Sequence, residues 1–411
     1  MWKIEHQCPQ CGAPVSLEET ERLFACSHCK VRLYIASDSI LRYYLPPVRF
    51  EEPVVYVPYW RTKGIDFTCR ASGITTGVID RTSLACRASR FPYSLGVRTQ
   101  ALTLRFVGRT VEKALLQPSI DLGDTHEEAP APVTLPDRSF ISDPVLFRVA
   151  MREVESLIYS PVGFQGDTLR DAIDGKNLGR QINEALSEIH SRNEAQDEVS
   201  FIPTLCPNCG ADLIGEKESI MLFCASCQQA WKVAGGALQS ERVAFLPGAK
   251  GARYLPFWAV QAHLEGIEDI DDRLFIDPVK TGRQWSRRIY LDDPDFSFWL
   301  PAFKVNPSIF LTLAERATVA QPALNDAIAD MRDDLYPVTL PAGEAVKLAK
   351  VIATLLVGTP ETVHPFFDRV TAKPDEAQLC FIPFSFSGYE LVQEEMRMSV
   401  FPNALKYGKN L

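Results

Sequence analysis

Two stretches of this chain are ruled by the same cysteine spacing. Residues 8–30 read CPQCGAPVSLEETERLFACSHCK, and residues 206–228 read CPNCGADLIGEKESIMLFCASCQ. Each contains C-x-x-C, fourteen residues, then C-x-x-C: Cys8, Cys11, Cys26 and Cys29 in one, Cys206, Cys209, Cys224 and Cys227 in the other. Two residues between paired cysteines let both sulfurs of a knuckle turn toward one point. Fourteen residues suit a hairpin that carries the second knuckle opposite the first. Four thiolates so arranged form a tetrahedral cage for a metal ion, so both segments must fold around their cysteines.

The spacing resembles the zinc-ribbon module, over about 22 residues in each copy. That resemblance implies one Zn²⁺ per ribbon, with rubredoxin-like iron as the rival, since iron also accepts four thiolates and CPxCG occurs there too. A redox dithiol would not need the matched second pair. With all four positions taken by sulfur no open coordination site remains, so the ions are expected to stabilise rather than catalyse. Such metal binding supplies roughly 10–16 kcal/mol of apparent folding energy in comparable peptides. Gly12 and Gly210 fall where a knuckle backbone commonly needs positive φ. Val31, Leu33 and Ile35, and likewise Trp231 and Val233, alternate as in a strand. His28 has Ser226 as its counterpart and is expected on the surface rather than on the metal.

The similarity extends beyond the cysteines. The offset of 198 that aligns them also pairs YVPYW at Tyr56 with YLPFW at Tyr254. Looser matches follow in the same order: LGVRTQALTLRF from Leu95 with PAFKVNPSIFLTL from Pro301, DPVLFRVAMREVES from Asp143 with AGEAVKLAKVIATL from Ala342, and LIYSPVGFQGDTLRDAI from Leu157 with LCFIPFSFSGYELVQEE from Leu379. The fold expected is α+β: a tandem duplication of a zinc ribbon followed by a strand-rich α+β unit. The boundaries expected are ribbon 1 at 1–36, unit 1 at 37–192, a polar linker at 193–200, ribbon 2 at 201–235 and unit 2 at 236–411. Helices are expected over the segments from Asp143, from Gly166 and from Pro322, the last with Leu324, Ile328 and Met331 on one stripe. The proline-broken runs SLIYSPVGF and QLCFIPFSF suit edge or terminal strands. The acidic, proline-rich segment Ile120–Asp137 suits a loop.

Function is less constrained. A net charge of −9 disfavours broad nucleic-acid binding. The first residues lack an apolar h-region, and the best apolar run, from Ala345, is broken by Lys347 and Lys350. No signal peptide and no membrane span are therefore expected, and cysteines paired for metal point to the cytoplasm. No nucleotide-binding loop, nucleophile elbow or H-E-x-x-H pair occurs. Tyr59, Trp60, Phe257 and Trp258 suit core packing better than a stacking platform. Cys69, Cys86 and Cys380 suit buried small hydrophobes. The acidic runs Glu268–Asp272 and Asp292–Asp295 suit solvated loops. Between them Lys280, Arg283, Arg287 and Arg288 flank Trp285, a combination that can grip phosphates and stack a base, or simply pair with the neighbouring acids. In the first unit Arg70, Arg81, Arg87 and Arg90 occupy the counterpart region. The reading is a non-enzymatic scaffold that binds a protein partner. The alternatives are a nucleic-acid accessory factor using the arginine hairpins, and an enzyme with a site between the units.

Replacing Cys209 by Ser should release one metal equivalent per chain and destabilise the second half. Metal content by elemental analysis checks this, and an unchanged stoichiometry would refute the ligand assignment.

Overall fold

Prolines and aromatic residues set the architecture. A computed structural model describes residues 2–37, 40–48, 54–70, 72–88, 90–108, 114–122, 145–166, 168–180, 199–264, 275–276, 289–290, 296–324, 331–357 and 370–408. The first half is made of β1 (Lys3–Gln7), β2 (Pro14–Glu18), β3 (Leu23–Ala25), β4 (Arg32–Ala36), β5 (Leu41–Tyr44), β6 (Val54–Arg70), β7 (Gly73–Leu84), β8 (Thr103–Phe106), β9 (Val145–Gln165), β10 (Thr168–Asp171) and β11 (Asn177–Arg180). The second half has β12 (Ser200–Pro203), β13 (Met221–Phe223), β14 (Ala230–Ala234), β15 (Ala237–Glu241), β16 (Val243–Phe245), β17 (Arg253–Leu264), β18 (Phe275–Ile276), β19 (Ile289–Tyr290) and β20 (Ser297–Pro301). Helices α1 (Pro307–Ala320), α2 (Ala342–Lys347) and α3 (Ala349–Val357) follow, then β21 (Val370–Ser387), β22 (Glu390–Gln393), β23 (Met398–Val400) and α4 (Pro402–Tyr407).

Strands dominate. A nine-stranded sheet carries the first half in the order β11-β10-β9-β5-β8-β1-β2, with β6 paired to β9 and β7 to β6. A six-stranded sheet carries the second half in the order β20-β17-β21-β22-β23, with β16 on β21. The same pairings recur. β5 runs parallel to β9 and β16 parallel to β21. Pro58 faces Tyr159 and Pro256 faces Phe381 in the antiparallel pairs β6/β9 and β17/β21. Trp60 Nε1 donates to Ile120 O at 2.7 Å, and Trp258 Nε1 donates to Leu340 O at 2.9 Å. Isolated parallel bridges join Tyr56 to Leu115 and Tyr254 to Leu335. The four aromatic residues Tyr59, Trp60, Phe257 and Trp258 are all buried.

The proline-broken runs lie in central strands rather than edges. Tyr56 spends its N–H on Ala114 O and its C=O on Leu116 N, so it faces Pro161 without bonding it. Pro161 therefore turns its missing donor to the opposite side. There β5 ends at Tyr159 and β10 begins at Val162. Pro383 sits in the same gap, between the end of β16 at Phe381 and the start of β22 at Ser385. A proline is tolerated inside a sheet only where no ladder partner waits for its N–H, and both positions meet that condition.

One helix expectation fails outright, a second fails over its described part, and a third falls largely outside the described residues. Residues 145–165 form β9, which pairs with β6 from Val54 to Arg70. Val145, Phe147, Val149 and Met151 alternate, which is the strand period, and a 17-residue antiparallel partner overrides helix propensity. After Gly166 the chain makes the hairpin β10–β11. Asp171 Oδ1 accepts from Ile173 N at 2.7 Å, and Gly175 takes φ 80° in the turn. Residues 181–198 lie outside the described residues. In the segment from Pro322, residues 325–330 also lie outside them, and residues 331–334 are not helical. The matches of Leu95 with Pro301 and of Asp143 with Ala342 therefore align strands with helices and do not hold. Among the described residues the α-helices all belong to the second half. Asn306 opens α1 by accepting from Ser308 N at 3.0 Å, and the segment from Ala342 forms α2 and α3. The segment from Ile120 and the linker from Asn193 fall mostly outside the described residues.

One core joins the halves. Ile65, Phe67, Cys69 and Met151 from the first half pack with the sheet and helices of the second. Gly64 sits at a bulge in this region, where a Cβ would lie 2.1 Å from Met151 O. Backbone cannot yield as a flexible side chain does, so Gly64→Ala should cost about 1–3 kcal/mol, as overpacking does. A lowered urea midpoint with unchanged slope checks this.

Candidate metal centres and the seam between them

Each cysteine cluster is assembled by two turns of the same kind. In the first knuckle Cys8 N donates to Ala13 O and Gly12 N to Cys8 O, both at 2.8 Å, with Gly12 at φ 72°. Its counterpart bonds Cys206 N to Ala211 O and Gly210 N to Cys206 O at the same distance, with Gly210 at φ 76°. The second knuckles repeat the turn with side-chain-bearing residues in the left-handed position, Lys30 at φ 62° and Gln228 at φ 57°. The sequence carried this signal, since Lys30 and Gln228 follow C-x-x-C as Gly12 and Gly210 do. Lys30 Nζ caps its own knuckle by donating to Ser27 O at 2.7 Å.

The sulfurs converge. Cys8 Sγ lies 3.7 Å from Cys29 Sγ, and Cys11 Sγ 3.7 Å from Cys26 Sγ. In the second cluster the matching distances are 3.5 and 3.4 Å. In each cluster all four sulfurs lie within 4.8 Å of one another. Bonds of about 2.3 Å to a tetrahedral ion place sulfurs about 3.8 Å apart, so both sets fit a four-thiolate ion. Burial follows the same order in both: the first and third cysteines are buried, the second exposed and the fourth half-buried. Backbone N–H groups favour thiolate. The N–H of Cys29 pulls the Cys26 thiol down to about 6. At Cys224 burial works upward, but the N–H of Cys227 and neighbouring groups hold it down to about 7. At Cys29 the Val31 N–H pulls down, yet burial and the other sulfurs push the thiol up to about 12. Four sulfurs this close cannot all ionise alone; a cation removes the conflict. His28 is exposed and stands apart from the cluster, as expected.

The seam between the ribbons was not legible in the sequence. Strand β12, which leads into the second ribbon, pairs with β4 of the first from Ser200↔Ala36 to Pro203↔Leu33. Leu23, Tyr34 and Ala36 share one small core with Cys206, Leu213, Leu222, Cys224 and Trp231. Arg22 N and Leu23 N both donate to Lys217 O, at 2.7 and 2.8 Å. Thr20 Oγ1 donates to Glu218 Oε1 at 2.6 Å, and these residues are counterparts at the offset of 198. Lys217 pairs with Glu21. Charged groups continue behind the seam. Lys304 Nζ reaches Glu153 at 2.6 Å and Glu218 at 3.0 Å, and Lys63 Nζ lies 2.9 Å from Glu153. Arg61 is fully buried. Its Nε and Nη2 fork onto Glu19 at 2.9 and 2.8 Å, while Nη1 meets Asp80. Burial opposes the guanidinium charge, but Glu19 and Asp80 outweigh it and hold the group above its usual range.

The remaining candidates separate. Lys280, Arg283, Trp285, Arg287 and Arg288, and both acidic runs, lie outside the described residues. Arg70 and Arg81 lie on β6 and β7, half-buried; Arg87 is exposed and Arg90 half-buried. Cys69, Cys86 and Cys380 are buried, and burial pushes the thiols of Cys69 and Cys380 up to about 12, which suits inert core groups. No described helix is long and apolar enough to cross a membrane.

Glu19→Ala should destabilise the protein by about 3 kcal/mol, because it strips a buried cation of its bidentate partner. Denaturant titration checks this. A loss below about 1 kcal/mol would mean that Asp80 alone satisfies Arg61.

No family model, no curated protein and no solved structure matches this chain.

Proposed function

We propose that the chain is a non-enzymatic scaffold for protein–protein interaction in the cytoplasm, built by tandem duplication of a zinc ribbon and a strand-rich unit, with one structural Zn²⁺ in each ribbon. The observation that carries this reading is the all-sulfur, mutually packed pair of clusters: their coordination is complete without a substrate, and they lie at the joint of the molecule. Zinc is favoured over iron by chemistry, since a d¹⁰ ion accepts the tetrahedron without redox change. The repeated strand pairings, Trp-to-carbonyl bonds and knuckle turns support duplication. Among the described residues no third cluster of His, Cys, Asp or Glu is placed to hold an ion. One of the cavities lined by both halves, that at Thr20, Gly64, Glu153, Glu218 and Lys304, has a volume of about 70 Å³. A ligand pocket needs roughly 300 Å³ or more, which weighs against an enzyme site there.

Affinity purification from the native organism after nuclease treatment, with elemental analysis of the bait, tests the reading. Expected are two zinc equivalents and a stoichiometric protein partner that survives nuclease. Iron in the bait, or retention of nucleic acid alone in a salt-sensitive manner, would overturn it.

A further inference from the structure

The two ribbons differ at one place. In the second, Ile214 and Phe223 exchange both backbone hydrogen bonds, Ile214 N to Phe223 O at 2.7 Å and Phe223 N to Ile214 O at 2.9 Å. Their counterparts at the offset of 198 are Ser16 on β2 and Ala25 on β3, and among the described residues these two strands do not pair. Instead β2 ends the nine-stranded sheet, β3 ends a three-stranded sheet, and a groove of about 710 Å³ is lined by both.

Register fixes where the backbone groups of these edges point. The bond from Cys8 N to Ala13 O starts the β1–β2 ladder, and alternation from there makes His6↔Val15 a bonded pair and Glu5↔Ser16 a non-bonded one. The N–H and C=O of Ser16 therefore face away from β1. The bond from Cys26 N to Val31 O starts the β3–β4 ladder, so Ala25 faces away from β4 in the same way. Ser16 and Ala25 are both exposed and both line the groove. Ser16 on β2 and Ala25 on β3 thus present donors and acceptors across one channel, beside Leu23 N, which Lys217 O already takes, and above a floor that includes the buried Leu17, Leu23 and Phe24. The charged residues lining it are Glu18, Glu21, Glu216 and Glu218 against Arg32 and Lys217; with Lys217 on Glu21 and Lys304 reaching Glu218 from behind, the balance is acidic by one charge.

We propose that this groove binds an extended, lysine- or arginine-bearing peptide segment of a partner protein, which adds as a strand to β2 and β3 and makes there the bonds that Ile214 and Phe223 make with each other. Main-chain bonding supplies affinity in such strand addition, and side chains supply specificity. The volume accommodates a short strand, and the carboxylates select a basic one. The inference deepens the scaffold reading and rests on it.

The test is selection of a displayed library of random ten-residue peptides on the full-length chain, followed by anisotropy titration of the peptides recovered. Expected are sequences rich in Lys and Arg whose binding falls at least tenfold with Ser16→Pro and with Ala25→Pro. Each substitution removes one outward N–H and no ladder bond, so metal content and far-ultraviolet circular dichroism should stay unchanged. Methylating alternate peptide nitrogens should abolish binding to the unaltered chain, which gives the same reading should a proline variant fail to fold. Recovery of no peptide, recovery of acidic peptides, or binding indifferent to both prolines and to methylation would overturn the groove assignment. A native partner that survives nuclease yet ignores Ser16→Pro would remove the groove and leave the scaffold reading standing.

Discussion

The sharing of one small core by two ribbons is the constraint on which the rest of this structure depends. A segment of about 22 residues cannot bury enough apolar surface to hold itself, and a bound metal is the usual remedy. Here a second remedy is added. Leu23 and Tyr34 of one ribbon pack against Leu222 and Trp231 of the other, and Cys206 and Cys224 are part of that same core. The sulfurs of one cluster are thus fixed by the side chains of the neighbouring ribbon, so an ion held there and the docking of the halves would reinforce each other. Lys217 O, taking two backbone donors from Arg22 and Leu23, holds the register of the seam.

The charged layer behind the seam has a different role. Buried ion pairs contribute little net stability, because desolvation offsets most of the attraction. They are intolerant of misplacement, however, because a charge moved from its partner is left uncompensated. Arg61 between Glu19 and Asp80, and Lys304 between Glu153 and Glu218, link residues far apart in the chain. Lys304 joins Glu153 of the first half to Glu218 of the second and is satisfied in one arrangement of the halves, whereas Arg61 fixes the first ribbon on β6 and β7 within the first half; both specify placement more than they add strength.

What the sequence disclosed and what it hid divide along the range of the interaction. The cysteine knuckles, the strands after them and the burial of Tyr59, Trp60, Phe257 and Trp258 depend on neighbours within a few residues or on bulk, and these were legible. The strand β9 reads as a helix in the sequence because Arg148, Arg152, Glu153 and Glu155 are good helix formers, while its partner β6 lies some ninety residues away. Pro161 and Pro383 suggested edges because the gap between two neighbouring strands that spares their missing N–H is a property of the assembled sheet. The seam has no local signature at all: Thr20 and Glu218 are unremarkable until the chain brings them to 2.6 Å.

The two ribbons dispose of their edges differently. A ribbon has two outer edges to dispose of, and an unpaired edge invites uncontrolled association. The second ribbon covers β14 with its own next strand, β15, and closes Ile214 on Phe223. The first covers β4 with β12, borrowed from the start of the other half, and leaves β2 and β3 apart. That open edge is guarded: Pro14 removes one donor at its start, and the C=O of Glu18 is occupied by Glu21 N at its end. What remains is a short window around Ser16 facing another around Ala25. A sequence selected merely to avoid aggregation would have closed the window as its sister does, with a single pair of backbone bonds. Keeping it open, narrow and acidic exposes backbone donors and acceptors to water, and that exposure is consistent with a strand that arrives from outside.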